Sequence, residues 1–93
     1  MTNPDRNTIS RLDELPNIGT TIAKKLQLIG VKRPKELMGK DPYELYDKLC
    51  MFLGKKVDPC IIDVFISGIY FMETGDSIPW WKFTNERKKH TAE

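Results

Sequence analysis

The residues best placed to do chemistry lie in one run, Leu15-Pro16-Asn17-Ile18-Gly19-Thr20-Thr21-Ile22-Ala23-Lys24-Lys25-Leu26. Pro16 ends any helix that precedes it. Asn17 and Gly19 both tolerate a left-handed backbone, which a tight connection needs. A helix starting directly after such a turn has several backbone N–H groups without helical partners. Added to the positive end of the helix dipole, these groups suit a phosphate or another small anion. Gly19 has no Cβ and lets the anion come close, and a side chain there should also strain the turn. Lys24 and Lys25 flank the site one turn into the helix, and Lys32 and Arg33 follow in a basic linker. The chemistry on offer is anion binding rather than bond making.

The other reactive side chains have no partners in the sequence. Cys50 and Cys60 are too few for a disulfide framework and sit in apolar stretches, so they read as reduced, buried and inert. A zinc site needs about four ligands, and the single histidine, His90, stands in a polar tail. Asp63 interrupts an apolar run and reads as a buried acid satisfied by a backbone N–H or a basic partner. No nucleophile and base pair up with it. Catalysis, a cofactor and a small-molecule substrate are therefore not expected. Trp80 and Trp81 suit the plugging of a small core, with stacking on bases as the other role open to them.

The chain has 93 residues, 40% hydrophobic and 30% charged, which fits one small globular domain. Its net charge of +2 says little, but the distribution is polarised. Residues 20–40 hold six bases against Glu36 alone, and residues 41–79 hold three bases against seven acids. The basic region coincides with the anion-binding run. No stretch approaches the roughly 18–20 apolar residues of a membrane span. The polar N-terminus has no apolar signal region, so the cytoplasm is the expected compartment.

Helices must position these groups. Ile9, Leu12 and Leu15 recur at helical spacing, which predicts a short helix over 9–15 with Thr8 as its cap. Ile22, Ala23, Leu26 and Ile29 form the apolar stripe of a second helix over 20–29. Residues 34–38 give one short turn. Asp41-Pro42 and Asp58-Pro59 are each a capping acid followed by Pro, and predict helices ending at Gly54 and Gly75. The last of these, about 59–74, is apolar nearly all round and must be central. Residues 78–83, with three aromatics after a turn, read as a lid over the core. Residues 8–84 make the expected domain, with flexible ends at 1–7 and 85–93. No strand pattern competes, so the expected fold is all-α, about five helices.

The run around Leu15-Pro16-Asn17-Ile18-Gly19 resembles the helix-hairpin-helix signature. Ile18, Gly19, Ala23 and Leu26 match in register, and Asn17 stands where that family usually has its first Gly. More of the chain, from about Leu12 to Thr84, resembles a family of small bacterial proteins labelled "pathogenicity locus", some of them mitomycin-resistance proteins. The likeness rests on Leu-Pro-Asn-Ile-Gly, Asp41-Pro42-Tyr43-Glu44-Leu45-Tyr46, Asp58-Pro59-Cys60-Ile61-Ile62-Asp63-Val64-Phe65 and Pro79-Trp80-Trp81. The resemblance implies a small helix-hairpin-helix, SAM-like bundle and binding of DNA. It implies backbone donors at Asn17, Gly19, Thr21 and Ile22, and a monovalent cation on the carbonyls of Asp13, Leu15 and Ile18.

Taken together, the expected nucleic-acid-binding set is Asn17, Ile18, Gly19, Thr20, Thr21, Ile22, Lys24, Lys25, Lys32 and Arg33. The expected function is non-sequence-specific DNA binding through phosphate contacts. A protein-interaction adaptor on the same fold is the alternative. Lys55 and Lys56, in the loop before Asp58, offer a weaker second contact.

Overall fold

The structure, a computed structural model, describes residues 6–91. Its α-helices are α1 (Thr20–Leu28), α2 (Pro42–Leu53), α3 (Cys60–Thr74) and α4 (Thr84–Thr91). Single 3₁₀ turns stand at Leu12–Glu14, Pro34–Leu37 and Trp80–Phe83, and no strand occurs among the described residues. The fold is thus an all-α small bundle. Local chemistry sets most boundaries. The Asp41 carboxylate accepts from the Tyr43 N–H at 2.8 Å, and the Asp58 carboxylate accepts from the Cys60 N–H at 2.9 Å. Each acid therefore takes up a donor that the new helix cannot satisfy itself. At the other ends, Gly54 and Gly75 stop α2 and α3 in the left-handed region, at φ +68° and +84°.

Helix α3 is the element on which the others converge. It packs against α2, α4 and the 3₁₀ turns at Pro34–Leu37 and Trp80–Phe83. Its Ile61, Ile62, Phe65, Ile69, Phe71 and Met72 are buried, as an all-round apolar helix requires. Gly68 lies in its interior, where glycine costs about 1 kcal/mol of helix propensity relative to alanine. The reason for the glycine is contact. A Cβ at Gly68 would stand 2.7 Å from Ile18 Cδ1 and 3.5 Å from Leu37 Cδ1. Ile18 is only 3% exposed, so it seats its side chain in a notch of α3.

Two expectations are corrected. The predicted helix over 9–15 is a single 3₁₀ turn, Leu12–Glu14. Leu15 is extended (φ −69°, ψ 139°), as the residue before Pro16 must be. The Glu14 carboxylate accepts from the Arg11 N–H at 3.0 Å and caps the turn from the other side. Too few residues remain between them for an α-helix. The apolar spacing still works, because residues three apart also align in a 3₁₀ turn. Ile9, Leu12 and Leu15 are all buried.

The second correction concerns the ends. Residues 1–5, 92 and 93 lie outside the described residues, but residues 84–91 are helical rather than flexible. Helix α4 has no apolar stripe and docks through polar groups. Arg87 Nε donates to Asp63 Oδ1 at 3.1 Å, and the Thr84 hydroxyl donates to Asp63 Oδ2 at 2.8 Å. Asp63 and Arg87 are both buried, so Asp63 is the satisfied acid expected, with its partner in the presumed tail. The His90 ring stacks on Tyr43, centroids 3.6 Å apart. At the other end, Arg6 donates to the Met72 carbonyl at 3.2 Å. The aromatic lid is also only partly as expected. Trp80 is half-buried and Phe83 packs on Tyr70, but Trp81 is 60% exposed.

The notch gives a thermodynamic test. Gly68→Ala should destabilise the chain by about 1–2 kcal/mol, the overpacking term outweighing the gain in propensity. Ile18→Val removes the clashing Cδ1 and alone should cost about 1 kcal/mol. The double variant should be more stable than the sum of the two predicts, with a coupling of at least about 1 kcal/mol in urea denaturation. Additive losses would show that the two residues do not share the space.

Candidate nucleic-acid interface

The turn at residues 15–19 is closed by the Ile18 N–H, which donates to the Leu15 carbonyl at 3.1 Å. Asn17 takes the left-handed conformation, φ +68°, and is the only non-glycine among the described residues with positive φ. Asn adopts that region more readily than other side-chain-bearing residues. It also does something glycine cannot. Its side-chain amide donates to the Ile78 carbonyl at 2.8 Å, tying the turn to the segment before Trp80. With Ile18 seated inward, Asn17 and Gly19 on either side of it are exposed.

Helix α1 starts after Gly19 with no side-chain cap. Its first helical bond runs from the Ala23 N–H to the Gly19 carbonyl at 2.9 Å. The N–H groups of Thr20, Thr21 and Ile22 precede that bond and face out of the helix start. Gly19 itself has φ −90° and ψ −173°, ordinary extended backbone. A Cβ there would meet nothing within 4 Å. The expectation that a side chain at Gly19 strains the turn is therefore corrected: Asn17 carries the left-handed step, and Gly19 only leaves space open.

Beside this helix start lies a depression of about 240 Å³. Thr20, Lys24 and Gln27 of α1 line it on one side, Ser10 and Arg11 on another, with Lys32 beyond the helix end. Ser10 also lines a neighbouring depression of about 480 Å³, together with Thr8, Arg33 and Lys35. The two share Ser10, hold five bases against Asp13, and together are the basic channel. Arg11 is paired with Asp13 at 3.0 Å. The remaining ion pairs among the described residues are Arg11 with Glu14 and Arg87 with Asp63, so Lys24, Lys32, Arg33 and Lys35 are not neutralised by one.

Four of the ten expected residues line the two depressions, and six do not. Lys24, Lys32, Arg33 and Thr20 share the channel. Lys25 is about 100° further round α1, half-buried, with Thr21 on its side of the helix. The side chains of Ile18 and Ile22 point into or against the core, leaving only their backbones for a ligand. Lys35 and Arg11 are channel residues that the sequence reading did not select. Lys35 had a signal in the basic run, whereas Arg11 was masked by its acidic neighbours. The carbonyls of Asp13, Leu15 and Ile18 are hard oxygen donors of the kind a monovalent cation takes. Leu15 already accepts one hydrogen bond there, which leaves it a second lone pair.

The loop before α3 is different. The Asp58 carboxylate occupies the first free donor of α3, and those hydrogen bonds from Cys60 hold its pKa below the usual value. Lys55 donates its N–H to the Cys50 carbonyl at 3.2 Å, closing the end of α2. This helix start is satisfied from within, while that of α1 is not. Both cysteines are free thiols and are half-buried rather than buried as expected, and burial pushes the Cys60 thiol pKa up.

A protein-family model described as "Pathogenicity locus" matches residues 5–89. A mitomycin resistance protein (McrB) of Streptomyces lavendulae is 35% identical over 83 residues, covering 89% of this chain and 79% of that protein. No solved structure matches the chain.

Asn17 should be separable into its two contributions. Asn17→Ala forces a left-handed alanine and loses the bond to Ile78, and should cost about 2 kcal/mol. Asn17→Gly keeps the turn and loses only the bond, and should cost about 1 kcal/mol or less. Thermal unfolding of the two variants checks the ranking. Equal losses would mean that the backbone conformation at Asn17 contributes nothing.

Proposed function

The chain belongs to the pathogenicity locus family, and on that footing we propose that it is a DNA-binding module that grips the phosphate backbone without reading sequence. The element responsible is a helix-hairpin-helix unit whose first arm is shortened to the turn at Leu12–Glu14. The observation that carries this reading is the uncapped start of α1 at an unobstructed Gly19, with Thr20 and the unpaired Lys24 and Lys32 lining the depression beside it.

The chemistry follows from those groups. A phosphate oxygen accepts from the free N–H groups at the helix start, and the helix dipole favours its charge. Lys24 and Lys32 take the same or the adjacent phosphate, and Arg33 and Lys35 extend the track. These donors reach phosphate and not base edges, so they position a strand without discriminating its sequence. A monovalent cation on the Asp13, Leu15 and Ile18 carbonyls would add a positive charge beside the phosphate. Resistance to mitomycin is said of the Streptomyces relative, and no part of the present reading rests on it.

A second reading, a protein-interaction adaptor without catalysis, is favoured by one observation. Met51 and Phe52 are adjacent at the end of α2 and are 83% and 60% exposed. Side chains of that size are usually covered, and a partner protein would cover them.

Anisotropy titration with labelled duplex and single-stranded DNA at several salt concentrations separates the two. About three phosphate contacts should give a log–log salt slope near −3 on duplex. Gly19→Ala should leave thermal stability unchanged and weaken binding, because only an incoming ligand meets the new Cβ. Lys24→Glu with Lys32→Glu should weaken binding by at least about tenfold, and Phe52→Ser should not affect it. Binding that is missing at low salt, or insensitive to salt, would overturn the DNA reading and favour the adaptor.

A further inference from the structure

A cleft of about 360 Å³ shares no lining residue with the basic channel. It lies between α2, the loop before α3, the first turns of α3 and the end of α4. Its composition is specific. Tyr43 and His90 stack nearly parallel, 13° apart in plane, and both line the cleft. Tyr46 is a second aromatic surface, and Ile62 is the buried apolar contribution. Asp47 and Lys56 are exposed, line the same cleft, and belong to none of the ion pairs among the described residues.

Each part restricts the occupant. The Tyr46 hydroxyl donates to the Val57 carbonyl, which holds its ring in place. Burial, with help from Cys50, pushes its pKa up to about 12, so Tyr46 stays a neutral phenol at physiological pH. A stacked aromatic pair beside a second tyrosine favours a flat ring over an aliphatic chain. A carboxylate acceptor favours a ring bearing an amino donor, and an unpaired ammonium nearby favours an attached anion. A purely apolar ligand would leave both charges unused. The residues offer no group of three or more metal-binding side chains among those described.

We propose that this cleft binds a nucleotide, with the base against the Tyr43–His90 stack, its amino group donating to Asp47, and its phosphate on Lys56. The volume is at the lower end of small-molecule sites, about 300–1,000 Å³, and suits a mononucleotide. The nucleotide has two sources, a free nucleotide or one residue of a single strand, and the recognition chemistry is the same for both. Helix α4 supplies the His90 wall, so the site is complete only while Arg87 is held on Asp63. This inference goes beyond the phosphate-gripping channel and stands without it.

The test is an NMR titration of the full chain with adenosine 5′-monophosphate. Resonances of Tyr43, Tyr46, Lys56 and His90 should shift, with saturation below millimolar concentration. Ribose 5-phosphate, which has no base to stack, should bind at least about tenfold more weakly. Lys56→Glu should weaken binding about tenfold, while Lys48→Glu, outside the cleft, should leave it unchanged. A single-stranded tetranucleotide acting at lower concentration on the same residues assigns the site to a strand, and an equal response assigns it to the free nucleotide. No shift at those residues, equal binding of ribose 5-phosphate, or an unaffected Lys56→Glu variant would overturn the proposal. Shifts confined to Gly19, Thr20, Lys24 and Lys32 would overturn it too, and would leave the phosphate-gripping channel standing.

Discussion

The position of the turn at residues 15–19 depends on one steric fit, the Ile18 side chain in the notch left by Gly68. A turn that stands clear of the fold has no reason to hold its amides in a given direction. Here Ile18 is pulled into the core by α3, and the backbone on either side must then turn outward. Asn17 and Gly19 become solvent-facing as a geometrical consequence of Ile18 facing in. The bond from Asn17 to Ile78 adds a second anchor, and two anchors fix an orientation where one would leave a pivot. The start of α1 is thus presented by the packing of a helix that contributes nothing to the channel itself.

Helix starts in this molecule are treated in two ways, and the contrast separates scaffold from surface. Helices α2 and α3 begin with an aspartate whose own carboxylate accepts the orphan N–H. Their dipoles are answered inside the chain. Helix α1 begins at Gly19, which has no side chain to offer. The same physics that stabilises the first two leaves the third in need of an acceptor from water or from a ligand. The clustering of unpaired bases beside α1, and of acids further along the chain, follows the same division.

Features set by neighbours in sequence were legible before any coordinates. The Asp-Pro starts, the glycine stops, the central apolar helix and the left-handed tolerance of Asn17 all follow from a few adjacent residues. What was not legible depends on distant ones. Asn17 and Ile78 are 61 positions apart, and nothing in either residue announces the bond. Gly68 reads as an ordinary weak spot in a helix until Ile18 is set beside it. The segment 84–91 has no apolar periodicity, so a pattern search had to pass it over. The available signal lay elsewhere: Asp63 in an apolar helix needed a backbone N–H or a basic partner, and Arg87 was one of the bases on offer. The 3₁₀ turn at Leu12–Glu14 was half legible, since Pro16 fixed its end, but the spacing of Ile9, Leu12 and Leu15 suits both helix types.

Asp63 has a consequence of its own for α3. A cylinder that is greasy on every side can roll about its long axis and still bury the same amount of hydrocarbon. Several rotational phases would then compete, and the interior would lose its single arrangement. One carboxylate removes that degeneracy. In the observed phase it meets a guanidinium and a hydroxyl. In any other phase it is buried without a counterion, at a cost of several kcal/mol. The charge therefore works as a keyway: it adds little to the depth of the energy minimum and leaves only one minimum to occupy.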